Sequence, residues 1–79
     1  MDNTSFLTQF KDQFVDADEI TVTMETSFRE LGSFDSLTGM AIIVMIKDDY
    51  GVDVSEKEFK SCQTAGDVYE LVRAKSGEA

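Results

Sequence analysis

The chain has 79 residues, with seven Lys or Arg against sixteen Asp or Glu, a net charge of −9, one cysteine and no histidine. A chain this short buries only about 60% of the surface its unfolded form exposes, which leaves a thin core and no room for a deep preorganised active site. The acidic balance argues against nucleic acid and anionic membrane surfaces as partners, since both need Lys and Arg, and suits basic partners reached by electrostatic steering.

Lack of histidine removes Ser-His-Asp and Cys-His nucleophilic schemes, so an enzyme is disfavoured. Cys62, alone, offers neither an internal disulfide nor a metal-ligand spacing, and fits a reducing compartment. Met1-Asp2-Asn3-Thr4 shows no basic region leading into an apolar run, and the nearly apolar stretch 40–46 is too short to span a bilayer. The expectation is a cytoplasmic protein that does not insert into membranes.

The first helical pattern begins near Thr4 or Ser5, either a suitable cap, and carries Phe6, Leu7, Phe10 and Phe14 on one face. Residues 16–35 form a long connection. Ile20 and Val22 alternate with threonines but have no second strand to pair with, so the segment reads as a loop. Thr26-Ser27 suits the start of a short turn that brings Phe28 and Leu31 inward, and Gly32 ends it. A loop this long with apolar anchors is packed down for a reason.

A second helix starts after Asp35 or at Ser36 and runs to Tyr50, where Gly51 stops it. Ser55-Glu56-Lys57-Glu58 has the capping-box spacing and opens a short third helix through Phe59 and Cys62. Thr64-Ala65-Gly66-Asp67 is a weaker version of that start, and Val68, Leu71 and Val72 supply the buried face of the last helix. The pattern predicts an all-α fold: one small four-helix bundle, three longer helices plus one short, with a long first loop. The domain takes in 1–79, its core 4–74, with a frayed end at 75–79.

The second helix is apolar on two sides. At 3.6 residues per turn, Gly39, Ile42, Ile43, Ile46 and Tyr50 fall on one side, while Leu37, Met40, Ala41 and Val44, closed by Asp48, fall on the other. So small a bundle cannot bury both. The isoleucine stripe is the better core face. The stripe beside Ser36, with its flexible Met40, is expected to be exposed for recognition. Asp35-Ser36, taken alone, reads as a helix cap.

The acids around Gly51 invite a divalent-ion loop, but the register fails. Counting from Asp48, Tyr50 and Phe59 fall where oxygen ligands are required. A helical adaptor that uses the exposed stripe without any attached group is the other rival.

Phe28-Arg29-Glu30-Leu31-Gly32, then Asp35-Ser36-Leu37, then an apolar helix ending in Asp48-Asp49-Tyr50, together resemble the acyl carrier protein family over roughly residues 4–74. The resemblance implies that a separate phosphopantetheinyl transferase, using coenzyme A and Mg²⁺, attaches 4′-phosphopantetheine to Ser36. Asp35, Leu37, Met40, Ala41, Val44 and Asp48 would be recognised by that transferase and by acyl-transfer and chain-elongation enzymes with basic docking patches. Phe28, Ile43, Ile46, Val54, Phe59, Cys62, Val68 and Leu71 would border an acyl cleft, and the carrier would be a monomer. Three departures stand out. Gly32-Ser33-Phe34-Asp35 is one residue longer than the family's usual turn, which sets Phe34 near the arm. Ala41 and Lys47 replace acids, and Thr38-Gly39 replace more acidic or bulkier residues. The resemblance implies service to fatty-acid or polyketide-type biosynthetic enzymes, while the thinned acidic face speaks against the general fatty-acid synthase enzymes and makes a specialised aminoacyl or other acyl-transfer pathway the alternative.

Overall fold

In the computed structural model, which describes residues 2–77, the chain forms four α-helices: α1 (Asn3–Lys11), α2 (Ser36–Tyr50), α3 (Glu56–Lys60) and α4 (Ala65–Ser76). Two single 3₁₀ turns, Ala17–Glu19 and Phe28–Glu30, punctuate the first connection. Helices α1, α2 and α4 pack on one another, and α3 joins the core through Phe59, which packs against Phe28 and Phe34. The fold is all-α, with three longer helices and one short, as the periodicity predicts. Among the described residues, no helix is long and apolar enough to cross a membrane.

Each helix start is set by a short polar side chain. Asp2, not Thr4 or Ser5, caps α1 and accepts from both of their backbone N–H groups. A carboxylate one turn earlier satisfies donors that a hydroxyl further in would leave open. Ser55 and Thr64 both form full capping boxes, with Glu58 and Asp67 reaching back, so the α4 start is as complete as that of α3. Helix α3 ends at Lys60 rather than Cys62, with Ser61 at its C-cap. Helix α2 stops at Gly51, whose φ of 68° only glycine adopts without strain. At the far end α4 stays helical through Ser76, with Lys75 bound to Glu58, where a frayed end is predicted; residues 78 and 79 lie outside the described residues.

The core is one cluster of aromatic and aliphatic side chains. Phe6, Phe10 and Phe28 are fully buried, with ring centroids 6.0 Å apart for Phe6–Phe10 and 5.3 Å for Phe10–Phe28. Ile42, Ile46, Val68 and Val72 complete the centre. The inward face of α2 is turned slightly from the predicted stripe. Thr38, Gly39, Ile42, Met45 and Ile46 are buried, whereas Ile43 and Tyr50 are only half-buried. These five positions make one 3.6-residue row. Tyr50 instead sends its hydroxyl to Gln9 Oε1 on α1.

The long loop is pinned rather than strand-paired. Ile20, Val22 and Met24 pack against the core. The carbonyls of Thr26 and Met24 accept from Ala65 N (3.1 Å) and Gly66 N (2.8 Å). These are first-turn donors of α4 that its own helix cannot satisfy.

Candidate functional site

The site is built at the N-terminus of α2. Asp35 is the cap: its backbone is extended, and its carboxylate accepts from Thr38 N at 2.8 Å. The hydrogen bond from the Thr38 backbone, reinforced by the Thr38 hydroxyl, holds the Asp35 carboxyl below the usual carboxylate range. Capping is therefore done by Asp35, and Ser36, the first helical residue, is free of that duty. Its side chain is exposed and its hydroxyl makes no hydrogen bond among the described residues.

Ser36 stands on the edge of an open cleft of about 380 Å³ between the α2 start and α3. Phe34, Gly39, Met40, Ile43 and Phe59 provide its apolar walls, and Arg29, Asp35, Glu56 and Lys60 its polar ones. The Gly39 position keeps the wall open, since a Cβ there would stand 3.3 Å from Phe59 Cε2 and 3.5 Å from Phe34 Cζ. Of the residues expected to border an acyl cleft, Ile43 and Phe59 line this hollow. The others do not: Phe28, Ile46, Val54, Cys62 and Val68 are core side chains, and Leu71 is half-buried against that core. The physical reason is aromatic filling. The Phe28 ring lies 5.3 Å from Phe34 and 5.5 Å from Phe59, so a buried ring packs directly behind the two aromatic walls of the cleft. Burial also raises the Cys62 thiol pKa, so it is no ready nucleophile.

The second apolar stripe of α2 faces outward. Leu37 is 76% exposed, and Met40 and Val44 are each 55% exposed, while Ala41 is half-buried and Asp48 is exposed. Val44 and Ala41 share a shallow groove with Asp48 and Asp49. A second groove joins Leu37 and Ala41 to Asp12 and to Val15, which is 91% exposed just beyond α1. Val15 is a residue that sequence reasoning passes over, because it falls just past Phe14, the last residue of the first apolar face, and into the polar cluster that follows. Lys47 pairs with Asp53 at 3.2 Å, so part of its charge is met within the chain.

Arg29 is the other residue the sequence does not single out. Its Nε donates to Cys62 O at 2.8 Å and its Nη2 to Phe59 O, which ties the loop before Ser36 to the end of α3. The guanidinium also lies over three rings, 5.0 Å from Phe28, 5.7 Å from Phe34 and 5.2 Å from Phe59.

With this geometry in view, the comparisons are specific. The sequence profile described as "Phosphopantetheine attachment site" matches residues 8–72. The "Polyketide-8 synthase acyl carrier protein 2" of Streptomyces avermitilis is 34% identical over 64 residues, 81% of this chain and 74% of that protein. The solution structure of the holo acyl carrier protein from Geobacter metallireducens superposes with a TM-score of 0.78 at 30% identity, covering 94% of this chain and 84% of that one. The chain belongs to the phosphopantetheine-attachment family of carrier domains. It is an acyl carrier protein, whose prosthetic group is a covalently attached 4′-phosphopantetheine.

Proposed function

We propose that Ser36 carries the arm and that the chain presents acyl thioesters to polyketide-type biosynthetic enzymes. The observation that carries this reading is the Ser36 hydroxyl, exposed at a helix start and released from capping by Asp35. A separate phosphopantetheinyl transferase supplies the base and the Mg²⁺. The Ser36 oxygen displaces the adenosine bisphosphate half of coenzyme A and gives up its proton to that enzyme. The positive end of α2 tolerates the phosphodiester so formed. The chain itself catalyses nothing in this scheme, and its lack of histidine is then no handicap.

Docking falls to the exposed apolar row of Leu37, Met40 and Val44, bordered by Asp35 and Asp48. Partners with an apolar centre ringed by Lys and Arg match it, in keeping with a net charge of −9. The similarity to a polyketide carrier of Streptomyces avermitilis favours that class of pathway over general fatty-acid synthesis. We read the chain as a cytoplasmic monomer.

The test is direct. Incubate the apo-protein with coenzyme A and a promiscuous phosphopantetheinyl transferase, then measure intact mass. Wild type gains one phosphopantetheine and Ser36→Ala gains none, with unchanged helicity because the cap is Asp35. A modified Ser36→Ala, or an unmodified wild type, overturns the assignment.

A further inference from the structure

The chain has seven basic residues, and two of them, Arg29 and Lys60, line the Ser36 cleft. Lys60 makes no ion pair among the described residues, and neither does Arg29. The Arg29 guanidinium is not loose. Two backbone carbonyls and three aromatic faces fix it, so little rotamer freedom remains to be lost on meeting a ligand. A guanidinium carries five N–H donors, and these contacts use one on Nε and one on Nη2. Both Nη1 protons lack an acceptor among the described residues. Such a fork, partly desolvated by rings, is suited to a carboxylate or phosphate.

Two acids share the cleft. Asp35 is committed to the Thr38 N–H, and Glu56, in the first turn of α3, pairs with neither cation. Against a chain of net charge −9, this hollow therefore holds as many cations as acids. Phe34 and Phe59 in its wall pack against each other and against the buried Phe28 ring. A short group ending in an oxyanion finds here both an apolar wall and a charge.

We propose that this cleft is an oxyanion subsite, in which Arg29 and Lys60 receive a negatively charged oxygen group brought by the arm. The proposal rests on Ser36 as attachment point. Two sources share that chemistry: the arm's own phosphodiester, and the free carboxylate of a dicarboxylic acyl thioester.

The experiment compares four forms of the full chain, apo, holo, butyryl-loaded and malonyl-loaded, each verified by intact mass. The readout is the ¹⁵N–¹H resonance of the Arg29 side-chain Nε–H. A shift between apo and holo identifies the phosphodiester; a shift between the butyryl and malonyl forms identifies the carboxylate. Lys60→Gln, an exposed change that spares the fold, should reduce the shift. Glu56→Gln, which removes the opposing charge, should enlarge it. Complete loading with an Arg29 resonance unmoved in all four forms overturns the subsite and leaves the attachment reading intact. So does a shift indifferent to both substitutions. Failure to load at Ser36 overturns both.

Discussion

Lys75 Nζ lies 2.7 Å from Glu58 Oε2, joining the last turn of α4 to the capping box that starts α3. Glu58 thus serves two helices: Oε1 accepts from Ser55 N at 3.0 Å while Oε2 holds the lysine. The hydrogen bond from Lys75 first, and that from the Ser55 backbone second, lower the Glu58 pKa from 4.5 to about 2.

A carboxylate whose pKa is lower folded than unfolded stabilises the fold above its unfolded pKa, and the contribution fades as pH falls through the folded value. For Glu58 that window runs from 4.5 down to about 2. We predict that the Tm advantage of wild type over Glu58→Gln, present at pH 7, declines through this window. Glutamine keeps one acceptor oxygen for the Ser55 N–H but puts an amide NH2 where Oε2 accepts from Lys75, so the charge and that bond are lost together. Thermal melts from pH 7 to pH 2 check it; parallel curves for the two proteins would show that the pair contributes nothing. The effect is modest, because the pair is partly open to solvent.

Gly66→Ala is predicted to destabilise the chain, although alanine is the better helix former. A Cβ at Gly66 would stand 2.7 Å from Met24 O, a backbone atom that cannot swing aside. The loop must retreat, and it loses the Gly66 N to Met24 O bond of 2.8 Å as it does. Overpacking of this kind costs about 1–3 kcal/mol. Urea unfolding measures it, and a variant as stable as wild type would show the loop is not seated on α4.

The two sides of α2 should separate in a paired experiment. Ile46→Ala removes a fully buried side chain and is expected to cost about 2–5 kcal/mol. The double variant Met40→Ala, Val44→Ala removes side chains that are 55% exposed and should leave stability nearly unchanged. Its arm-loading rate or partner turnover should fall several-fold. Equal stability loss in both proteins would move the outer row into the core.

Much of the fold is legible in the residues. Local chemistry sets the caps of α2, α3 and α4, the glycine stop at Gly51 and the periods of α1 and α4, and each is readable without the rest of the chain, whereas the α1 cap falls at Asp2 rather than at Thr4 or Ser5. The two-sided α2 is legible too, because apolar content beyond what a small core can take must lie outside it. What the periodicity misses is rotation. Ile43 and Met45 are both apolar, and nothing local says that Met45 turns inward while Ile43 borders the cleft.

The family pattern around Ser36 and the all-α class are therefore properties of the sequence by itself, since a helix start and a linear motif are short-range. Which residues surround that serine is decided only in three dimensions. Arg29 and Lys60 stand 31 positions apart in the numbering, yet they meet at one cleft because Arg29 is bound to carbonyls at the end of α3. The expected acyl lining is mostly core for the same reason: aromatic rings from the loop and from α3 close over it. Period and motif constrain neighbours along the chain, while the walls of a cleft come from segments that only packing brings together.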